Sequence, residues 1–410
     1  MPAPESESLS ALLFGWDGGG NVFPLLALGK HLACRGHQVA IVGSETMSVR
    51  ADSAGLQFTP FTRPPSWKTR PGRALEDEMD AFATHLLGPE LGEELLVAAN
   101  RSHPDVLVVD CMAGGALSIA EYLGLPTAVL VHLRARFHHD AKGGSSVASR
   151  VAKEALNRQR TRLGLQPLDI EASLWAQLWQ RAGQVFIASL PELEGPGDPL
   201  PVGFTYTGGV FDPDPDGLPP RIAELVASGS DPLVVTTLST TYMHQEPQLA
   251  AALAALDGLR GVLTVGAGLD PKQLEPGTDR IVVTAWAAHE TLLPHADVVV
   301  THAGHGTVMA ALGAGIPLVC MPMGRDQHGN AEQVTRLGAG VCIDPASEPA
   351  QLRGAIEKVL SVPAYRDNAR NLAESQRLLG GGTRLTTEIE SLARTDSRPG
   401  SVYWSKGTER

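Results

Sequence analysis

Residues 297–331 constrain the fold of this chain more than any other segment, and they read DVVVTHAGHGTVMAALGAGIPLVCMPMGRDQHGNA. The apolar run 298–300 predicts a buried strand, and residues 302–306 predict a turn with almost no side-chain bulk. A helix is predicted to begin with residues 308–312, and a second strand follows at residues 317–321. Strand, turn, helix and strand in this order are typical of a parallel sheet covered by helices.

The turn before this helix has the properties of an anion-binding site. Backbone N–H groups at a helix N-terminus lack partners within the helix and carry partial positive charge. The amides of Gly304, Gly306 and Thr307 are therefore predicted to hold a diphosphate, with the ring of His302 as a further donor. We interpret His305 as a residue that fills the turn or faces a sugar.

Polar groups also follow the second predicted strand. Asp326 and Gln327 offer a carboxylate acceptor and an amide, which are the groups that recognise sugar hydroxyls. Together with the diphosphate site, they predict a site for a nucleotide sugar. A metal site at His302 and His305 is not expected, because their spacing crosses a glycine turn and no carboxylate partner lies nearby.

Bulk properties exclude several classes of protein. At 410 residues, the chain is long for one core and predicts two α/β domains. The net charge of -12 disfavours nucleic acid and anionic membranes as partners. No apolar run approaches the ~20 residues needed to span a bilayer, and the polar start MPAPESES lacks the features of a secretory signal. We therefore expect a cytoplasmic protein.

Two α/β stretches flank the segment FDPDPDGLPP, which is too rich in Pro and Asp to hold a regular element. We assign residues 1–210 to the first domain, residues 211–221 to a linker and residues 222–385 to the second domain. The polar residues 395–410 are expected to form a frayed tail.

Several elements of the first domain are predicted from periodicity and breakers. A strand at residues 9–14 precedes a helix whose expected first position is Pro24. Residues 86–99 predict a further helix, and residues 105–109 a further strand. Residues 141–184 are expected to be helical.

The chain resembles the family 1 glycosyltransferases, which include antibiotic and macrolide glycosyltransferases of bacteria. The resemblance rests on the His-x-Gly turn at His302, the Gly-Ile-Pro at residues 315–317, the Asp326-Gln327 pair and Asn330. It implies the GT-B fold, in which two Rossmann-like α/β domains face each other across a cleft. It also implies that the last helix, at about residues 363–394, crosses back to the first domain.

The resemblance assigns further residues to the nucleotide sugar. Ser239 and Thr240 follow a predicted strand where the family places a hydroxyl near the phosphates. Trp286 matches the family's Trp that stacks on the base, and a core Trp is the structural alternative. The acidic ribose ligand of plant enzymes would fall at Ala310 and is absent here. This slightly favours a dTDP-sugar over a UDP-sugar, and neither is excluded.

The glycine-rich turn GWDGGGNVFP at residues 15–24 departs from the family pattern. The family commonly has Gly-Gly-His-x-x-Pro there, and this His takes the proton from the acceptor hydroxyl. This chain has Asn21 instead. An amide has no usable pKa near neutrality, so Asn21 can orient an acceptor but cannot act as its general base.

Asp110 gains importance from this departure. It follows a predicted parallel strand at the carboxyl end, where ligand groups lie, and it matches the family's acidic residue that orients the missing His. Three explanations stay open: Asp110 or Asp17 acts directly as the base, the acceptor needs little activation, or the chain is impaired. A structural alternative is that Asp110 caps a helix over residues 112–120.

The resemblance implies an inverting, metal-independent glycosyltransferase that needs no cofactor beyond its dTDP- or UDP-sugar and acts on a hydrophobic small molecule. A catalytically silent nucleotide-sugar-binding partner protein and a GT-B sugar-nucleotide epimerase are the alternatives. A nicotinamide dehydrogenase is disfavoured, because the early glycine turn lacks its acidic ribose partner. A homodimer is compatible with the sequence, which leaves the oligomeric state undecided.

Overall fold

The computed structural model describes residues 8–63, 75–136, 150–197, 200–229, 231–238, 244–266, 269–274 and 276–395, with the backbone alone for residues 75–80. The predicted phosphate-side residues Ser239 and Thr240 lie outside the described residues. All of the predicted tail except its first residue also lies outside them.

The described strands are short, apolar and paired in parallel. They are β1 (Ser10–Phe14), β2 (Gln38–Gly43), β3 (Gln57–Pro60), β4 (Val106–Asp110), β5 (Thr127–Val131), β6 (Gln184–Ile187), β7 (Phe204–Tyr206), β8 (Leu233–Thr237), β9 (Arg260–Thr264), β10 (Ile281–Thr284), β11 (Val298–Thr301), β12 (Leu318–Cys320) and β13 (Gly340–Cys342). A 7-stranded sheet has the order β3-β2-β1-β4-β5-β6-β7, and a 6-stranded sheet has the order β10-β9-β8-β11-β12-β13. Two parallel sheets confirm the predicted α/β fold with two Rossmann-like domains.

Helices connect the strands and cover both sheets. They are α1 (Val22–Cys34), α2 (Ser48–Ser53), α3 (Leu75–Leu87), α4 (Pro89–Ser102), α5 (Gly114–Leu123), α6 (Arg150–Arg162), α7 (Leu174–Ala182), α8 (Pro220–Ala227), α9 (Glu246–Ala255), α10 (His289–Leu292), α11 (His305–Gly313), α12 (Gln327–Arg336), α13 (Pro349–Ser361), α14 (Pro363–Leu379) and α15 (Gly381–Thr395). Among the described helices, none combines the length and the hydropathy that crossing a bilayer requires.

Each sheet is buried on both faces, which explains why its strands are almost continuously apolar. In the first sheet, Leu12 and Val109 belong to the core on one face, and Leu13 and Val108 belong to the core on the other. The second sheet likewise separates two hydrophobic clusters. We call the domain built on the first sheet the first lobe and the domain built on the second sheet the second lobe.

The end of the chain packs on the first lobe. Leu385, Ile389 and Leu392 of α15 are buried in the same hydrophobic cluster as Ala11 and Leu13 of β1. The preceding helix α14 contributes Ala369 and Leu372 to a core of the second lobe. The two last helices therefore bind different lobes.

Several predicted element bounds are wrong. The helix expected to start at Pro24 begins two residues earlier, at Val22. The helix predicted at residues 86–99 is two helices, because Gly88 is extended, with ψ of 155°, and Pro89 restarts the chain as a first helical position. The helix expected from residue 308 begins at His305. The described part of residues 141–184 is helical only in α6 and α7.

Candidate active site between the two lobes

Strand register brings three loops of the first lobe together. Phe14 pairs with Val109, and Asp110 pairs with Leu130, so β1, β4 and β5 end at the same edge of the sheet. Polar groups at the carboxyl ends of neighbouring parallel strands form the usual ligand-binding edge of such sheets. The residues that follow these strands therefore meet around the Asp110 side chain.

The Asp110 carboxylate is held by four hydrogen bonds in a position where 2% of the residue is exposed. Its Oδ1 accepts from Trp16 Nε1 at 3.2 Å and from Met112 N at 2.8 Å. Its Oδ2 accepts from Asn21 Nδ2 at 3.0 Å and from His132 Nε2 at 3.1 Å. Burial alone would raise the pKa of Asp110, but the charge and hydrogen bonds of these neighbours lower it. The carboxylate is ionised and each oxygen serves two donors.

Asp110 does not cap a helix, which corrects the structural alternative given above. The helix expected over residues 112–120 begins at Gly114, and its N-cap is Ala113. The bond from Met112 N to the carboxylate instead closes a tight turn between β4 and that helix.

Asn21 orients the glycine-rich turn and Asp110 together. Its Nδ2 donates to the carbonyl of Trp16 at 2.8 Å as well as to Asp110. Its Oδ1 accepts from Gly18 N at 2.9 Å. Gly18 is required at this point, because a Cβ there would collide with the Trp16 ring. Asn21 thus contributes to the shape of the site through every polar atom of its side chain.

Asp17, the other carboxylate proposed as a base, makes different contacts. Its Oδ1 accepts from Gly19 N at 3.0 Å and lies 3.4 Å from Arg50 Nη1. These contacts join the glycine-rich turn to α2.

His132 is the imidazole that accompanies Asp110 in this chain. It follows β5, and its side chain is 10% exposed. Burial disfavours its charged form, but Cys111 and the Asp110 carboxylate raise its pKa well above 6.5. Burial also raises the pKa of the Cys111 thiol, which therefore stays protonated at neutral pH. Asp110 is the negative charge that favours a protonated His132.

Asp110, Cys111 and His132 are also the described residues whose side chains could together hold a metal ion, since their ligand atoms lie within 4.8 Å of one another. The Cys111 Sγ atom lies 3.6 Å from His132 Nε2. That nitrogen carries the proton donated to Asp110, so the three groups satisfy one another by hydrogen bonding.

The predicted anion-binding turn lies at the matching edge of the second sheet. Thr301 pairs with Thr237 on one side and with Cys320 on the other, so β8, β11 and β12 end at the same edge of the sheet. Ala303 has a φ of +64°, which a residue with a side chain seldom adopts. Backbone strain of this kind concentrates at functional turns, and here it directs the chain from His302 into α11.

His302 and His305 are buried on this turn, and each has a ring nitrogen to spare. Burial lowers the pKa of both imidazoles to about 4, so both are neutral at neutral pH. His305 Nε2 contacts the carbonyl of Ala188 in the first lobe at 3.3 Å. The buried Nδ1 atoms of both rings lack a hydrogen-bond partner within the described part of the chain. Because Nε2 of the neutral His305 ring faces a carbonyl, its proton lies there and Nδ1 is an acceptor, while the His302 ring also interacts with the backbone of Thr237.

The first turn of α11 has room beside it. Gly304 is the N-cap and has no side chain with which to bond the amides of this turn. A Cβ on Gly304 would come within 2.5 Å of His302 Nε2, whereas a Cβ on Gly306 would meet no atom within 4 Å. Thr307 is buried in the same turn. The predicted diphosphate residues are therefore next to one another.

Asp326 and Gln327 lie at the start of α12, where part of their hydrogen-bonding capacity is used within the loop. Gln327 Oε1 accepts from Met323 N at 2.8 Å and from Gly324 N at 3.0 Å. Asp326 Oδ2 accepts from Asn330 Nδ2 at 2.9 Å. The electrostatic effect of Asp326 on the pKa of His302 and His305 places this carboxylate near the anion-binding turn.

Trp286 is a surface residue of the second lobe, since 50% of it is exposed. The structural alternative of a core Trp is therefore excluded. The ring follows β10 by two residues, at the same edge of the sheet as the anion-binding turn. An exposed, rigid ring there is available for stacking.

Arg134 connects the lobes across the site. Its Nε donates to Asn330 Oδ1 at 3.0 Å, and its Nη1 lies 3.4 Å from the carbonyl of Leu193. Asn330 Nδ2 also donates to the carbonyl of Ala303 at 3.0 Å. A Cβ on Gly329 would collide with the Arg134 guanidinium, so the glycine permits this close approach. The carboxyl-end edges of the two sheets therefore face each other.

The second lobe matches a known family. Residues 247–379 match the EryCIII-like family, described as the C-terminal domain of erythromycin biosynthesis protein CIII-like proteins. Among solved structures, the calicheamicin glycosyltransferase CalG4 aligns with a TM-score of 0.74, 21% identity and coverage of 96% of this chain and 100% of that one. The glycosyltransferase VinC, solved in complex with dTDP, aligns with a TM-score of 0.70, 18% identity and coverage of 94% and 100%. These likenesses confirm the GT-B fold.

Two curated proteins are similar to this chain over most of its length. The 4'-demethylrebeccamycin synthase of Lentzea aerocolonigenes is 25% identical, over 87% of this chain and 93% of the relative. The O-mycaminosyltylonolide 6-deoxyallosyltransferase of Streptomyces fradiae is 28% identical, over 92% of this chain and 96% of the relative. Over most of its length, the chain is therefore similar to glycosyltransferases of antibiotic biosynthesis.

Sequence reasoning missed three residues of the candidate site. His132 and Arg134 follow β5, and Trp16 follows β1. The signal available was their position just beyond the carboxyl end of an apolar run. Only the pairing of β5 with β4 shows that His132 reaches Asp110.

Proposed function

We propose that this glycosyltransferase moves a sugar from a dTDP- or UDP-sugar to a hydrophobic small molecule, in one in-line displacement that inverts the anomeric carbon and needs no metal. The observation that carries the proposal is the first turn of α11, where Gly304 offers no side chain to the amides and a Cβ on Gly306 would meet no atom within 4 Å, with the buried His302 beside it. The acceptor would lie on the first lobe, opposite this turn.

The second lobe has the groups that stabilise a leaving nucleoside diphosphate. Negative charge grows on the diphosphate as its bond to the sugar breaks. The amides of Gly304, Gly306 and Thr307 and the positive end of the α11 dipole would face that charge, with His302 as an added donor. A neutral imidazole has one N–H to donate, and burial keeps His302 neutral. These fixed donors replace a metal in this proposal.

Aromatic side chains near Asp110 support a hydrophobic acceptor. The partly buried rings of Phe82 and Phe61 pack on the buried rings of Trp16 and Phe14, with centroids 5.3 Å apart in each pair. Planar or apolar molecules pack well on the accessible part of rings such as Phe61 and Phe82. The names of two relatives, a rebeccamycin-type synthase and a tylonolide deoxyallosyltransferase, agree with an acceptor of this class.

A thymidine nucleotide is the preferred donor in this proposal. Ala310 offers no carboxylate to a ribose hydroxyl, and VinC was solved with dTDP. Trp286 would stack on the base, and Asp326 with Gln327 would bind the sugar hydroxyls.

A donor and acceptor panel tests the function. The purified chain is incubated with dTDP- and UDP-sugars and aromatic acceptors, and release of nucleoside diphosphate is measured together with the anomeric configuration of the product by NMR. We expect acceptor-dependent release and inversion. Retention would contradict the mechanism, nucleotide binding without release would identify a silent partner protein, and sugar isomerisation without acceptor would identify an epimerase.

Metal independence has its own test. We expect turnover in excess EDTA to equal turnover without chelator, because the α11 amides and His302 stabilise the leaving group. Loss of activity in EDTA, with recovery on addition of a divalent cation, would contradict this and would direct attention to Asp110, Cys111 and His132.

Gly306→Ala is expected to weaken donor binding without harming the fold. A Cβ there meets no protein atom within 4 Å, and alanine favours a helix by about 0.5–1 kcal/mol over glycine. The methyl group would take up space beside the proposed diphosphate, so we expect a several-fold higher KM for the donor and an unchanged or higher Tm. Gly354→Ala is the matched control, since Gly354 lies in α13 and also has no atom within 4 Å of a Cβ. Equal KM values for the two variants would contradict the diphosphate assignment.

A further inference from the structure

The Asp110 carboxylate retains an imidazole partner although Asn21 occupies the position where the resembled family has its His. His132 approaches the carboxylate from β5, on the neighbouring strand, with Nε2 at 3.1 Å from Oδ2. Asn21 donates to the same oxygen from the start of α1. An amide and an imidazole thus share Asp110, and the imidazole comes from a different strand.

The contacts of His132 determine which ring nitrogen carries the proton. Nε2 faces both Asp110 Oδ2 and Cys111 Sγ, at 3.1 Å and 3.6 Å. An ionised carboxylate can only accept, so Nε2 is the N–H of the ring. In the neutral ring, Nδ1 therefore bears the lone pair. Fixing the second nitrogen by a carboxylate is the arrangement that makes an imidazole an oriented base.

His132 also lies towards the second lobe. Its charge acts on the pKa of His305, the first residue of α11, so the two rings are within electrostatic reach of each other across the cleft. Its side chain keeps 10% of its surface exposed, whereas Asp110 keeps 2%. His132 is therefore the member of the pair that a bound acceptor can reach.

We propose that Nδ1 of His132 is the general base of the transfer, positioned by Asp110, and this proposal rests on the function proposed above. Nδ1 takes the proton of the acceptor O–H or N–H, and the electron pair of that atom forms the bond to the anomeric carbon. The bond from this carbon to the diphosphate oxygen breaks, and its electron pair leaves with the nucleoside diphosphate. His132 is then an imidazolium paired with Asp110, and it returns its proton to water.

The groups that face His132 give the proposal a pH signature. Asp110 and Cys111 contact it from β4, Asn21 approaches the same carboxylate from α1, and His305 approaches from the second lobe. Asn21 is uncharged, and His305 is neutral near pH 7 because its pKa is about 4. Asp110 therefore dominates, and it favours the protonated ring. Since only the neutral ring accepts a proton, we expect kcat to rise with pH, and the midpoint of this rise to lie above pH 6.5.

His132→Gln tests the proposal, because glutamine keeps an N–H for Asp110 but has no basic nitrogen. The matched control is His37→Gln. His37 is a buried histidine of the same lobe, and its Nε2 lies 2.9 Å from Glu390 Oε1, away from the cleft. We measure kcat from about pH 5 to 9, dTDP binding by calorimetry and the thermal melt of each variant.

For His132→Gln we expect a fall of kcat by about 10²–10⁴-fold, loss of the pH-dependent rise and dTDP binding within about twofold of wild type. His37→Gln is expected to keep the rate and the pH profile. In His132→Ala, added imidazole is expected to restore part of the rate, and a residue that only supports the fold would show no such rescue.

Two results would overturn the assignment of His132. One is a His132→Gln variant that keeps a wild-type rate and pH profile, and the other is a slow His132→Ala variant that imidazole does not rescue. Failure of the underlying function looks different, because the wild-type chain itself would then release no nucleoside diphosphate with any donor and acceptor. If His132→Gln does not fold, the rescue of His132→Ala and the wild-type pH midpoint decide the question.

Discussion

His302→Ala is expected to lower kcat by about 10²–10³-fold and to weaken binding of dTDP, because it removes a donor aimed at the charge of the leaving group. The imidazole is 8% exposed and neutral, so it acts through one N–H and not through a positive charge. Its effect is therefore expected in kcat and in nucleotide affinity, with acceptor KM nearly unchanged.

Steady-state kinetics and calorimetry with dTDP measure this effect. His302→Gln serves as the comparison, since it keeps an N–H donor and should retain more activity than the alanine variant. Thermal melts of both variants separate loss of the donor from loss of the fold. Unchanged turnover in His302→Ala would end the assignment of the α11 turn to the diphosphate.

Asp110→Asn is expected to cost a similar factor, about 10²–10⁴ in kcat. The amide removes the negative charge that favours an imidazolium at His132, and its NH₂ group opposes at least one of the donors that now converge on the carboxylate. Asp105→Asn is the control, because Asp105 precedes the same strand at its opposite end and accepts from Ser10 N at 2.8 Å. We expect that variant to keep its rate.

The pH profile of Asp110→Asn distinguishes a positioning role from direct proton transfer. If Asp110 positions His132, loss of its charge lowers the pKa of the imidazole, and the rise in kcat moves to lower pH. If Asp110 itself accepts the proton, its lowered pKa predicts a wild-type rate that is flat from about pH 5 upward. Should Asp110→Asn stay near wild type while Asn21→Ala is inactive, acceptor positioning would be the main contribution of the first lobe.

The sequence predicted the architecture of the second lobe well, because its signals are local. The strand β11 lies where the apolar run at residues 298–300 predicted one. The start of α11 at His305 was predicted three residues late, because its first turn consists of histidine, glycine and threonine and so lacks the apolar spacing that indicates a helix. Tertiary packing at the end of β11 overrides those weak preferences.

The first lobe was predicted less well, because its site depends on register between strands. Asp110 was recognised from its position after an apolar run. His132 occupies an equivalent position after β5, but the amino-acid sequence alone does not show that β5 pairs with β4. The four hydrogen bonds on Asp110 also come from residues separated by up to 94 positions, which no local pattern contains.

The hydrogen bond from Arg134 to Asn330 couples the separation of the lobes to the entry and release of ligands in the cleft. One amide holds the carbonyl of Ala303, the carboxylate of Asp326 and the guanidinium of the opposite lobe. Separation of the lobes would break the bond between Arg134 and Asn330 and would expose Arg134, which is 7% exposed in this structure. Separation of the lobes would therefore also free Asn330, which holds the loops at Ala303 and Asp326 that we propose bind the nucleotide sugar. Release of the nucleoside diphosphate and entry of the next nucleotide sugar would then depend on the same movement.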